Sequence, residues 1–366
     1  MSDLILNPLA DVHLSQGAAL AEYHGVLVPA RYTDSKAEYK AVRSAAGIFD
    51  FSFRARFAAR GPDRVSFLHN MLTNDVKNLG PGQGMYAALL DVKGHILADL
   101  RVYSEPDQVL LETDVDLIDK VINVLERYII MDDVTLERQR SFGLAVQGPR
   151  SRALIEGSLE GALPALSEFG HLRGSCAGLS LHIVQISSTA EEGYELWVPL
   201  DDDPGKARVL WETLLASTTG LAAVPCGTEA LEMLRIEAGI PRYGADFGED
   251  TLPLEAGLLN AISFTKGCYP GQEIVERARS RGRVNWRLVG ISVDDAIVPS
   301  PGEKLLSEGR EVGEATSASF SPWLNRPIAL AYVRREVSEP GAKLTFASGA
   351  AAQVYQLPFY RRPASD

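Results

Sequence analysis

The run Phe53-Arg54-Ala55-Arg56-Phe57-Ala58-Ala59-Arg60, closed by Gly61-Pro62, decides the fold. It alternates as a strand does, and Val65, Leu68 and Leu72 then recur at helical spacing. The reading is strand, turn, helix, with Pro62 near the first helical turn, where a missing N–H costs little. The same grammar returns at Phe142–Gln147, Gly148-Pro149 and a helix through Ala153, Leu154 and Ile155, 87 residues later (149 − 62). A second landmark agrees. The strand QVLLETD ends at Asp114 and opens a helix over 115–129, while YELWVPLD ends at Asp201 and opens one from about Pro204 to Leu215, again 87 apart (201 − 114). Two independent landmarks with one spacing predict a duplicated strand–helix–strands–helix unit, an α+β arrangement with helices on one face of a mainly antiparallel sheet. The two copies are expected at about 50–135 and 136–225.

Beyond Arg287 the texture changes. LVGISV, KLLS, VGEATSASF, IALAYV, KLTFAS and AAQVYQLPFY are short alternating runs separated by Pro/Gly turns. They predict a small all-β domain, barrel or sandwich, over 284–366, after an α+β region over 1–283. The terminal RRPASD reads as frayed.

The chain has 366 residues, 36 Lys+Arg against 48 Asp+Glu, a net charge of −12, and 46% hydrophobic residues. It can bury a sizeable core, in two or three domains. No apolar run approaches the roughly 20 residues of a membrane helix, and the start has acids where a secretory peptide carries Lys or Arg, so a soluble cytoplasmic protein without membrane contact is expected. The acidity disfavours direct nucleic-acid binding. Cys176, Cys226 and Cys268 are odd in number and form no CxxC pair, which excludes a disulfide framework and a self-contained zinc site. The six histidines show no metal-ligand spacing, so no resident metal is expected, and nucleophile elbows, P-loops and GxGxxG turns are absent.

The densest chemistry is Lys266-Gly267-Cys268-Tyr269-Pro270-Gly271-Gln272-Glu273. Pro270, Gly271 and Glu273 suit a first helical turn, so Cys268 and Lys266 fall just before a helix N-terminus, where dipole and Lys charge favour a thiolate. Such a thiolate attacks electrophiles, forms mixed disulfides, or gives one ligand to a metal cluster held partly by another molecule. A buried Cys in a tight turn is the plainer alternative. Downstream, Arg277, Arg279, Arg281, Arg283 and Arg287 form a basic exception, suited to a polyanionic tail, an acidic partner or RNA, or simply to solvated pairing with surface acids. Asp91-Val92-Lys93-Gly94-His95 reads as a turn, with Asp99 in the following strand, either wet or holding a ligand ring or amine. Glu195 in Gly193-Tyr194-Glu195-Leu196-Trp197 needs a partner if its face is buried.

Lys266 to Glu273 with Arg277 resemble the K-G-C-[FY]-x-G-Q-E-x-x-x-R hallmark of the YgfZ/GcvT-like folate-binding family, at every specified position. Gly47-Ile48-Phe49-Asp50, Leu72 to Val76, Pro81 to Gly84, Gln147-Gly148-Pro149, Gly193-Tyr194-Glu195, Leu234 to Gly239 and Pro253 to Gly257 resemble the wider aminomethyltransferase superfamily. The resemblance implies duplicated antiparallel α+β units in a GcvT-like cloverleaf with a C-terminal β-barrel, and tetrahydrofolate or a derivative as cofactor. It implies Glu195 on the pterin edge, Asp99 near the reactive folate nitrogens, Tyr86 and Arg235 lining the pocket, and Arg287 toward the tail carboxylate. Glycine-cleavage aminomethyltransferases usually carry an Asp-Asp pair where this chain has Ala98-Asp99, and lack the cysteine motif. The expected function is therefore a folate-binding accessory factor for assembly or repair of iron–sulfur clusters in client enzymes, tRNA-modifying ones included, in which Cys268 reacts or transiently ligates and Lys266 keeps it ionised. The alternatives are an aminomethyltransferase moving a one-carbon unit to tetrahydrofolate, with Asp99 orienting the folate amine, and an RNA-binding module using the arginines.

Overall fold

A computed structural model describes residues 6–201, 203–217, 220–280 and 284–362. Arg281, Arg283, the expected 283/284 boundary and residues 363–366 of the tail lie outside the described residues. By its internal contacts the chain forms two compact units, residues 1–87 with 100–231 and residues 88–99 with 232–366.

The first unit opens with α1 (Ala10–Ser15), the hairpin β1 (Ala19–Tyr23) and β2 (Val26–Arg31), α2 (Ser35–Ser44) and β3 (Gly47–Asp50). The first copy of the repeat follows: β4 (Arg54–Arg60), α3 (Arg64–Met71), β5 (Gly84–Leu90), β6 (Ile96–Ser104), β7 (Val109–Asp114), α4 (Ile118–Glu126) and β8 (Thr135–Gln139). The second copy repeats this order as β9 (Ser141–Gln147), α5 (Ser151–Ser158), β10 (His171–Cys176), β11 (Leu179–Gln185), β12 (Gly193–Pro199), α6 (Gly205–Ala216) and β13 (Val224–Cys226). The duplication expected from the Gly-Pro landmarks is thus present element by element.

Those landmarks recur because the turn after each first strand has one steric solution. Gly61 sits at φ +100° and a Cβ there would lie 2.1 Å from the Asp133 carbonyl oxygen; Gly148 sits at φ +133°, 2.5 Å from that of Ala45. Only glycine fits either place. The helix expected over 115–129 is shorter, because residues 115–117 form the turn between strand and helix.

Strand order is β5-β6-β7-β4-β8 in one sheet and β10-β11-β12-β9-β3-β13 in the other. The orders match except that β3 is inserted beside β9 and pairs in parallel with β13. One face of the six-stranded sheet is apolar: Ile48, Phe142, Leu144, Val146, Tyr194, Leu196 and Val198 pack on Leu154, Ile155, Leu210 and Trp211 of α5 and α6. On its other face Val184, Ile186 and Trp197 meet Ala58, Tyr103 and Leu110 of the five-stranded sheet. The period-two alternation of the strands produces both faces. The start of the described chain is tied down by a buried relay, in which His13 Nε2 lies 2.8 Å from Asp50 Oδ2 and Tyr32 Oη 2.7 Å from His13 Nδ1.

In the second unit, after α7 (Thr228–Glu237) and α8 (Gln272–Ser280), the alternating runs form β14 (Trp286–Val293), β15 (Lys304–Ser307), β16 (Arg310–Ser321), β17 (Arg326–Arg334), β18 (Lys343–Phe346) and β19 (Ala351–Tyr355). They close into a barrel of order β14-β17-β16-β15-β18-β19, which decides between the barrel and the sandwich. Val289, Ile291, Leu305, Ala331, Val333, Phe346 and Val354 fill its interior, and closure leaves no sheet edge. Outside it, Ile236 packs with Ile328, Leu330 and Phe359, and Glu237 Oε1 accepts from Ser321 Oγ at 2.5 Å.

Candidate functional site

Glu195 is buried, and what surrounds it is a balanced set of charges between the two sheets of the first unit. Strand register builds one side of it. Arg101 on β6 stands opposite Glu112 on β7, and Glu112 stands opposite Arg56 on β4, so alternating charges lie in a row across the sheet. Arg54, opposite Asp114, makes the next pair. Arg56 Nη2 lies 2.8 Å from Glu112 Oε2, Arg54 Nε 3.0 Å from Glu112 Oε1, and Arg54 Nη1 2.5 Å from Asp114 Oδ1. From the facing sheet, Glu195 brings both carboxylate oxygens to Arg101 Nη1, at 2.6 and 2.7 Å, and the same nitrogen is 2.7 Å from Glu112 Oε1.

Three guanidinium groups thus meet three carboxylates, all nearly shut off from water. Burial alone would raise the Glu112 carboxyl, but the guanidinium groups of Arg56, Arg101 and Arg54 outweigh it and hold it at about 2. Burial pushes the Glu195 carboxyl up, against Arg101 and with the help of neighbouring Glu112. Arg101 stays charged because Glu195 and Glu112 more than offset its desolvation. Trp197, two residues on from Glu195 on the same face of β12, lies 4.3 Å below the Arg56 guanidinium. Gly143, beside Trp197 on β9, makes room for it, since a Cβ there would stand 3.0 Å from Arg56 Nη2. In this constellation Arg101 keeps the Glu195 carboxylate in place between the sheets.

The other expected site residues are placed differently. Tyr86 is half-buried on β5, and its carbonyl oxygen accepts from Asn74 Nδ2 at 2.8 Å. Asp99 is half-buried on β6 and is assigned to the second unit. Arg235 is buried with its guanidinium committed to Asp246 (2.6 Å), Glu232 (2.6 Å), Ser317 Oγ (2.6 Å) and the Ile240 carbonyl (3.2 Å), a cross-brace between α7, the following loop and the barrel. Arg287 is partly exposed, 3.5 Å from Glu339 and 3.4 Å from Ser338 Oγ.

The Lys266–Glu273 stretch turns out to be shaped by packing. Cys268 is exposed and lies four residues before Gln272, the first residue of α8. Lys266 is buried, with its ammonium 4.9 Å from the centre of the Tyr269 ring. Gly271 has φ +80°, and a Cβ there would lie 2.5 Å from the Asp91 carbonyl oxygen and 2.7 Å from Gly94 Cα. The expected 91–95 turn is present, with Asp91 Oδ1 accepting from the Lys93 and His95 amides at 2.8 Å, and α8 begins directly against it. Of the arginine run, Arg277 pairs with Glu273 and Arg279 lies over the Phe264 ring at 4.1 Å. Among the described residues, no helix is long and apolar enough to cross a membrane.

Residues 9–266 match the family model for the GCVT N-terminal domain, and residues 287–361 the model for the glycine cleavage T-protein C-terminal barrel domain. The chain is 32% identical over 378 residues to an aminomethyltransferase of Rippkaea orientalis, covering 99% of both, and 30% identical to that of Bacillus subtilis, covering 97% of this chain and 99% of the relative. The crystal structure of glycine cleavage system aminomethyltransferase T from Bartonella henselae superposes with a TM-score of 0.89 at 26% identity, over 98% of each chain. These full-length likenesses overturn the accessory function in iron–sulfur cluster assembly or repair, with its client enzymes, that was expected from the cysteine motif, and they give no support to the YgfZ branch. That expectation rested on a single local motif; the chain, matched from residue 9 through the barrel, belongs to the glycine cleavage T-protein family of aminomethyltransferases.

Proposed function

We propose that this protein is an aminomethyltransferase that moves a one-carbon unit from a lipoyl-bound amine to tetrahydrofolate, in the cytoplasm. The observation that supports it most is likeness to proteins named aminomethyltransferase over 99% of the chain, including both the α+β region and the barrel. In this reaction the methylene carbon leaves sulfur and nitrogen for two folate nitrogens; ammonia and the lipoyl thiol are released, so no oxidant and no protein thiol is required. That agrees with Cys268 lying exposed outside the buried charge network.

In this reading Glu195 holds the pterin edge. A carboxylate offers about four lone-pair positions, so it can keep Arg101 and still accept an N–H pair from an aminopyrimidine ring. Arg101 is then the residue that orients Glu195 and opposes the upward push of burial on its carboxyl. Asp99 orients the folate amine, and with Ala98 before it, it is the sole acid at that place in β6.

Titration calorimetry of the full chain with tetrahydrofolate under anaerobic conditions tests the binding half. The wild type is expected to bind one equivalent, and Glu195→Gln to weaken binding by about 1.5–3 kcal/mol, the usual value of a charge-assisted hydrogen bond. Unchanged affinity in the variant would remove Glu195 from the site, and no binding by the wild type would refute the proposal.

A further inference from the structure

Away from the Glu195 network, the turn between β6 and β7 meets β10 and β11 at a second buried cluster in the first unit. Glu105, His171 and His182 are 8%, 5% and 3% exposed, and one ligand atom from each lies within 4.8 Å of the others. His182 Nε2 is 3.2 Å from Glu105 Oε1. That separation is one edge of a coordination shell with bonds of about 2.0–2.1 Å meeting at about 100°. The two imidazoles stack at 6.2 Å, His182 stacks on Trp197 at 4.9 Å, and His171 Nε2 is fixed on the Ser104 carbonyl at 3.0 Å. Ring orientation is therefore set in advance, as metal-ligating histidines require.

Two buried polar atoms of the cluster are left over. His182 Nδ1 and Gln108 Oε1 are buried with no partner among the described residues, and Gln108 spends its amide nitrogen on Glu105. What meets the Glu105 charge is Arg173, 3.1 Å from Oε1 and 3.0 Å from Oε2, reaching in with a side chain that is 54% exposed. The cation that meets this carboxylate thus sits on a half-exposed side chain that can swing away at little cost.

The geometry points to Glu105, His171 and His182 as a binding site for one divalent first-row transition metal, gated by Arg173, that clamps the β6–β7 turn to the β10–β11 hairpin. Two imidazoles with one carboxylate suit zinc, cobalt, nickel or iron and exclude magnesium and calcium, which prefer all-oxygen shells. The site is independent of the proposed transferase reaction. Among the described residues the other such cluster, His24 with Asp114 and Asp116, is less suited, since Asp114 is bound by Arg54 at 2.5 Å.

The test titrates Co2+ into the full-length protein by visible absorption, then displaces it with Zn2+. One equivalent is expected, with a rise in melting temperature. His171→Gln is expected to weaken binding by at least about 100-fold, and Arg173→Ala, on a half-exposed side chain that leaves the fold intact, to tighten it up to about fivefold. A dissociation constant weaker than about 1 mM in both wild type and Arg173→Ala would overturn the assignment. So would equal binding by folded His171→Gln, or loss of binding in His24→Gln.

Discussion

Removing Arg101 is the sharpest perturbation of the buried network. Its Nη1 lies within 2.7 Å of three oxygens on two carboxylates, Glu112 and Glu195, that are 0% and 1% exposed. Arg54, Arg56 and Arg101 balance Glu112, Asp114 and Glu195, so Arg101→Met leaves one uncompensated negative charge between the sheets. Breaking a buried pair from one side costs about 3–5 kcal/mol, a large share of the 5–15 kcal/mol that holds a typical domain. Equilibrium urea unfolding at pH 7 should show that loss. Adding Glu195→Gln to Arg101→Met restores the charge balance, and the double variant should regain about 1.5–3 kcal/mol relative to the sum of the single effects, the coupling expected of a contacting pair. A loss below about 1 kcal/mol for Arg101→Met, or strict additivity in the cycle, would refute the view that charge balance holds Glu195 in place.

The same network sets a pH dependence. Glu112 is depressed from 4.5 to about 2, so its contribution of about 3 kcal/mol is present above pH 4.5 and lost as pH falls toward 2; Glu195, raised, partly opposes this, and Glu112→Gln should flatten the acid limb of an unfolding-versus-pH curve. Gly271→Ala forces a Cβ to 2.5 Å from the Asp91 carbonyl at φ +80°, and thermal melts should show about 2 kcal/mol or more lost, whereas Gly267→Ala, with nothing within 4 Å, should cost under about 1 kcal/mol. Cys268→Ala, at an exposed position, should shift stability by less than about 0.5 kcal/mol.

Much of the fold could be read from the sequence because its turns are sterically unforgiving. Gly61 and Gly148 mark equivalent corners where no side chain fits, so the 87-residue period is written in residues that cannot drift. Insertion of β3 between β9 and β13 left no such mark, because a four-residue strand pairing in both directions has no periodic signature. Glu195 stood out as an acid that needs a partner if its face is buried, yet Arg101 and Glu112 did not, since register across three strands and two sheets decides which charges meet. His171 and His182 are drawn together with Glu105 across a hairpin and a distant turn, a proximity that spacing along the chain does not show. The Lys266–Glu273 stretch misled in the opposite direction: taken by itself it pointed to iron–sulfur chemistry, which the likeness of the full chain to aminomethyltransferases overturns.

Transfer of the one-carbon unit is read most directly by turnover. The full chain is incubated with a lipoyl carrier bearing the aminomethyl group, and ammonia release and methylenetetrahydrofolate formation are followed with and without tetrahydrofolate. Folate-dependent production of both in equal amounts is expected, undiminished in Cys268→Ala and lost in Asp99→Asn. A wild-type protein that binds tetrahydrofolate yet leaves the carrier loaded would contradict the proposed transfer.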